Sequence, residues 1–141
     1  MSFPRADFHP GRFSAGMLLL VAVAAAGLYG AYDYKFRSQR RTTAIALTGG
    51  SPDHAPALLI HYGCGGCHAI PGVPGARGLV GPPLAGLGKR VFIAGVVNNT
   101  PDNLIRWIVN PRELSPRTAM PVTGISEDEA RDVAAYLYAL P

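Results

Sequence analysis

The sequence predicts an all-α protein: one apolar N-terminal helix, then a small helical domain with long Gly/Pro-rich loops. Three observations carry this. No charged residue lies between Arg12 and Asp33, a run of 20 positions. Two helix starts are written into the second half, Thr100-Pro101-Asp102-Asn103 and Ser126-Glu127-Asp128-Glu129. No segment alternates apolar and polar residues well enough to argue for a strand.

Composition bounds the function. The chain has 141 residues, room for one globular domain and an appendage. Its net charge of +4 belongs entirely to residues 1–49, because residues 50–141 carry seven basic and seven acidic side chains. A basic segment beside an uncharged run reads as a membrane flank, and no basic stripe marks a nucleic-acid surface.

Residues 1–12 are expected to form a short polar arm and residues 13–34 a transmembrane anchor helix. About 20 residues at 1.5 Å rise cross roughly 30 Å of hydrocarbon. Phe8 and Phe13 precede the apolar core, and Tyr29, Tyr32, Tyr34 and Phe36 follow it, as an interfacial belt would. A cleavable signal peptide is the main competitor, with Ala22-Val23-Ala24 or Ala24-Ala25-Ala26 as cleavage site; an uncleaved signal anchor is the expectation. Ala22, Ala26 and Gly30 form a small-residue stripe that would admit a partner transmembrane helix. Residues 35–54 are expected to be a linker ending in Gly49-Gly50-Ser51-Pro52.

The domain is expected at 55–141. Leu58, Leu59 and Tyr62 have helical spacing in a short first helix. Residues 69–88 are Gly/Pro-rich loop. The helix opened by Thr100 runs through Leu104, Ile105, Trp107 and Ile108 to a stop at Pro111. The last follows a capping box in which Ser126 caps and Glu129 replies.

The chemistry is concentrated in Cys64-Gly65-Gly66-Cys67-His68, the spacing of covalent haem attachment. Two thiols two residues apart can each add to one vinyl group of the same porphyrin, and the adjacent His68 then offers an axial imidazole. A closed zinc site needs two ligand pairs, and only this pair exists. A thioredoxin-like redox pair would need a βαβ context. The sixth iron ligand follows by elimination. Met1 is terminal and Met17 lies in the apolar run, so Met120 is the only methionine left in the domain. His61 is too near Cys64 to reach the opposite face, His54 adjoins the linker and His9 precedes the anchor. A thioether opposite an imidazole favours ferrous iron and closes the site to substrate, which suits electron transfer.

With these residues in place the sequence resembles class I cytochromes c. Gly81-Pro82-Pro83-Leu84-Ala85-Gly86-Leu87-Gly88-Lys89-Arg90 matches the family's Gly-Pro-x-Leu-x-Gly-Leu-x-x-Arg stretch, and Asn110 to Met120 matches its Asn-Pro-to-Met loop. The resemblance covers about residues 55–141 and implies the class I fold, helices packed around one covalent haem c. It also implies that Pro82 presents its carbonyl to the His68 ring N–H, that Arg90 pairs with a haem propionate, and that Thr118 lies near the propionates or the Met loop. Trp107 stands where mitochondrial members usually carry a Tyr; an indole donates but cannot accept a hydrogen bond, so pocket packing is its expected role. The domain lacks their lysine ring, so long-range steering should be modest and a membrane tether would compensate.

The implied function is an electron carrier, not an enzyme, between a quinol-oxidising complex and a terminal oxidase, or a subunit of one of them. The loop pattern also resembles the cytochrome c domains fused to some bacterial cytochrome oxidases. A haem subunit of a membrane dehydrogenase and a small peroxidase are the alternatives. Redox proteins and the membrane are the expected partners, with no nucleic acid and no small-molecule substrate. Family haem attachment occurs outside the cytoplasm, which implies a bacterial inner-membrane protein with a periplasmic domain. The charges disagree: Lys35, Arg37, Arg40 and Arg41 follow the apolar run, whereas Arg5 and Arg12 precede it, the reverse of the positive-inside pattern. The haem requirement is chemical and the charge rule a bias, so the periplasmic placement is the expectation.

Overall fold

The computed structural model describes residues 15–141; the expected arm at 1–12 and the first two positions of the expected anchor lie outside the described residues. Two units are distinguished, Met1–Lys35 and Phe36–Pro141.

Helix α1 spans Ala15–Thr48. Within the first unit every residue from 16 to 32 is exposed. Leu18, Leu19, Leu20 and Leu28 expose more than half of their surface. The helix is long and apolar enough to cross a membrane, with none of its most apolar window buried. A core helix would bury one face, and residues 16–32 bury none.

The expected linker is where the structure differs. Residues 35–48 continue the helix, and only a short stretch before Ala55 is non-helical. Burial keeps it wound: Ala44 and Thr48 are each 1% exposed, so this part of α1 has a buried face inside the second unit. The Thr42 and Thr48 hydroxyls are satisfied within the helix, donating to the carbonyls of Ser38 and Ala44 one turn back at 3.0 and 2.9 Å. The helix ends where Gly49 turns to φ +71°, a left-handed stop that glycine takes without Cβ strain.

The rest of the second unit is helical around one core. Helices α2 (Ala55–His61), α3 (Pro101–Val109), α4 (Pro111–Leu114) and α5 (Glu127–Ala139) follow in order. Thr100 caps α3 by accepting from the Asn103 N–H, and Pro101 occupies its first turn. The Ser126–Glu129 capping box forms at α5 as its sequence predicts. Helix α5 packs on both α2 and α3, burying Leu59, Leu104, Ile108, Val133, Ala134 and Leu137. One hairpin departs from the strandless expectation: β1 (Phe92–Ile93) pairs antiparallel with β2 (Val97–Asn98). It is held by its turn, where Ala94 and Gly95 both have positive φ, at 49° and 71°. Strands of two residues carry no periodicity that a sequence could reveal.

Candidate functional site

The site is built on the turn that follows α2. Gly63 leaves that helix at φ +69°, and a 3₁₀ turn at Cys64–Gly66 follows. The Cys67 and His68 amides donate back to the Cys64 carbonyl at 3.2 and 3.0 Å. Both cysteines are half-buried free thiols on one tight turn. Burial pushes the Cys64 thiol up from its ordinary range, with the neighbouring Cys67 adding to the rise. A redox-active pair needs the opposite, a thiol held low; this direction argues against the thioredoxin-like reading.

The loop after His68 folds back over this turn at close range. Gly78 donates to the Gly65 carbonyl at 3.0 Å and Gly81 to the Cys67 carbonyl at 2.8 Å. A Cβ on Gly65 would lie 2.8 Å from the Ala76 Cβ, and one on Gly78 would lie 2.4 Å from the Cys67 carbonyl carbon. A Cβ on Gly81 would lie 2.3 Å from His68 Cε1. The bare Gly81 therefore lets the backbone close on the imidazole, and the next residue completes the contact: His68 Nδ1 lies 2.8 Å from the Pro82 carbonyl oxygen. A carbonyl only accepts, so Nδ1 carries the proton and the lone pair stays on Nε2, the nitrogen free to bind a metal.

The other expected residues are found as follows. Arg90 Nη2 donates to the Pro83 carbonyl and, at 3.3 Å, to the Ala85 carbonyl, so the guanidinium braces the loop that carries Pro82. Thr118 accepts from the Met120 N–H at 3.2 Å while its own N–H donates to Ser115 O at 3.0 Å. That pins the loop presenting Met120, which is half-buried against the core. Trp107 is 8% exposed within the same core, in keeping with packing. His54 Nδ1 is engaged 2.9 Å from Asp132 Oδ2, and His61 is exposed with its ring edge-on to Tyr62 at 4.8 Å. Among the described residues no cluster of three or more His, Cys, Asp or Glu side chains could hold a bare metal ion. A haem asks for something else: paired thiols, an imidazole with a fixed tautomer, and a soft thioether. The residues present fit that set.

Sequence reasoning missed Asn99. Its Nδ2 donates to the Leu87 and Arg90 carbonyls at 2.8 and 2.9 Å, and its Oδ1 accepts from the Tyr138 hydroxyl at 2.8 Å. It ties the Arg90 segment to α5, a long-range link that leaves no local signal.

Comparison with known proteins agrees with the geometry. The family model described as Cytochrome c matches residues 52–141. Cytochrome c oxidase subunit 2 of Alkalihalophilus pseudofirmus is 37% identical over 78 residues, 55% of this chain and 22% of that protein. The subunit 2 of Bacillus sp. (strain PS3) is 29% identical over 86 residues, 58% of this chain and 24% of that protein. The chain thus spans less than a quarter of the length of either relative. No solved structure matches it significantly. With a tautomer-fixed His68 beside paired thiols, and a family match over most of its length, this chain belongs to the cytochrome c family.

Proposed function

We propose that the chain is a membrane-anchored monohaem c-type cytochrome. It passes single electrons in a respiratory chain, between a quinol-oxidising complex and a terminal oxidase or as a subunit of one of them. The observation that carries this is the Pro82 carbonyl on His68 Nδ1, reached across a glycine that leaves the ring room. When bound, haem supplies a one-electron couple at its iron. Cys64 and Cys67 would hold it by thioether bonds, the His68 Nε2 and the Met120 thioether would ligate its iron, and Arg90 and Thr118 steady the loops that carry Pro82 and Met120. Pro82 keeps the imidazole from rotating and raises its basicity. Trp107 and its apolar neighbours exclude water from the pocket.

The oxidase subunits among the relatives support a terminal oxidase as acceptor.

The test is haem retention after denaturation. The full-length chain should keep its haem through denaturing electrophoresis, and the double variant Cys64→Ala, Cys67→Ala should lose it. Haem released from the wild type under denaturant would overturn the covalent assignment.

A further inference from the structure

The Pro82 carbonyl sits on a segment that is poor in donors of its own. Pro82 and Pro83 have no N–H to give. On either side of them the Gly81 N–H donates to the Cys67 carbonyl at 2.8 Å and the Leu84 N–H to the Ala69 carbonyl at 2.9 Å. Further support comes from side chains. Arg90 reaches back to the Pro83 and Ala85 carbonyls, and Asn99 in turn places Arg90. The Asn99 Nδ2 donates to the Leu87 carbonyl and to the carbonyl of Arg90 itself, at 2.8 and 2.9 Å, so it clamps both sides of the 3₁₀ turn Leu87–Lys89. Its backbone N–H donates to the Val91 carbonyl at 2.9 Å. An Asn or Gln side chain alone combines two N–H donors on one nitrogen with a carbonyl acceptor.

That acceptor is engaged as well. Asn99 Oδ1 accepts from the Tyr138 hydroxyl at 2.8 Å. The Tyr138 ring also lies on the clamped turn: a Cβ on Gly88 would come within 3.2 Å of its Cδ1. Burial pushes the Tyr138 hydroxyl up to about 12, so it remains a donor throughout the neutral range. A continuous path of directional contacts runs from Tyr138 on α5 through the Asn99 amide, the Arg90 backbone and guanidinium and the Pro83 carbonyl. It ends at the adjoining Pro82 carbonyl, on His68 Nδ1. We propose that Asn99 and Tyr138 are positioning residues of the haem site, holding the Pro82 carbonyl on the His68 imidazole and so setting its strength as an iron ligand. The proposal rests on the haem reading above. A firmly held acceptor makes the imidazole more basic, and a more basic ligand favours ferric iron. Loosening the path should therefore raise the reduction potential. Water admitted through a damaged pocket acts in the opposite direction, because a more polar surrounding stabilises the more highly charged ferric state. The sign separates lost positioning from simple damage.

The experiment uses the full-length haem-loaded chain in mild detergent, with the variants Asn99→Leu and Tyr138→Phe, neither of which changes the charge. Redox titration reads the potential, and nitrogen-15 NMR of the reduced protein reads how fast the His68 Nδ1 proton exchanges with water. Asn99→Leu should shift the reduced-to-oxidised ratio at a fixed potential about fivefold toward reduced, a rise of about 40 mV at about 59 mV per tenfold for one electron. That is less than the roughly 10–100-fold effect of losing a direct partner of a ligand. Tyr138→Phe should shift it about twofold the same way. The double variant should do no more than Asn99→Leu alone, because the tyrosine acts through the amide. Proton exchange should quicken in the same order. Tyr136→Phe removes a neighbouring hydroxyl of α5 that donates to the Pro71 carbonyl at 2.6 Å; it should leave the potential and the exchange at wild-type values. If Asn99→Leu does not fold, Tyr138→Phe decides. A potential that stays unchanged or falls in the folded variants, or a Tyr136→Phe shift as large as that of Tyr138→Phe, would overturn the proposal alone. A wild type that releases its haem under denaturant, or whose haem is high-spin, would overturn the haem reading and the proposal together.

Discussion

The two glycines between Cys64 and Cys67 look interchangeable in sequence, and the structure separates them. A Cβ on Gly65 would press on Ala76 at 2.8 Å, whereas one on Gly66 would meet nothing within 4 Å. Gly65→Ala should therefore cost about 1–3 kcal/mol, the range for overpacking. Gly66→Ala should stay within about 0.5 kcal/mol of wild type, as for an open surface site. Chemical denaturation of the haem-loaded variants checks both, and equal costs would contradict the close packing of the Ala76 loop. The same logic explains why this site was partly legible. Cys64, Cys67 and His68 announce themselves because haem attachment demands adjacent residues. Asn99 does not, and the stretch that includes Gly81 does not give that residue's task, because both tasks are set by atoms that arrive from elsewhere in the fold. Gly81 matters through the His68 ring it faces, and Asn99 through Tyr138.

Helices with local signals were read correctly from sequence, and those held by distant residues were not. The Thr100 and Ser126 caps both form, since a cap and its reply lie three residues apart. The later half of α1 carries no helix signal of its own, because residues 35–43 are mostly polar and what holds them lies far away in sequence. Arg131 Nη1 donates to the Thr48 carbonyl at 3.2 Å, satisfying an end-of-helix acceptor from 83 residues on. The α5 cap makes a pH-dependent prediction. The Ser126 hydroxyl, the Ser126 N–H and the Tyr62 hydroxyl all favour the charged Glu129 carboxylate and hold it below its ordinary range. A carboxylate lowered by folding stabilises above its unfolded value, and that contribution disappears as pH falls through its folded value. Glu129→Gln should thus be less stable than wild type at neutral pH, with the gap closing below about pH 4, near the unperturbed glutamate value. Ser126→Ala should cost about 1 kcal/mol at neutral pH. Denaturation midpoints across pH measure both, and a gap that widens in acid would contradict the cap assignment.

At the scale of the molecule, residues 36–48 belong to the haem domain and are not a loose tether. Asp132 on α5 is the joint. Its Oδ1 accepts from the Ser51 N–H at 2.5 Å and its Oδ2 lies 2.9 Å from His54 Nδ1. Beside it Gly50 runs so close to α5 that a Cβ would lie 2.2 Å from the Arg131 carbonyl carbon. Asp132→Ala strands a partly buried amide and should cost about 1–3 kcal/mol. Protease cleavage near Ser51 should quicken with it while the haem spectrum stays unchanged; no change in either stability or cleavage would contradict the joint. The all-α class and the long apolar N-terminal helix were legible from this distance because they rest on composition and length. The joint was not, since its partners are 81 residues apart.

The central claim is that His68 and Met120 together close the iron to outside ligands, making the chain a carrier of electrons. Carbon monoxide mixed with the reduced full-length protein tests it most directly. The wild type should show no change in its visible spectrum, and Met120→Ala should bind the gas within the mixing time. Rapid binding by the wild type would contradict the claim and leave an open, substrate-accessible haem in its place.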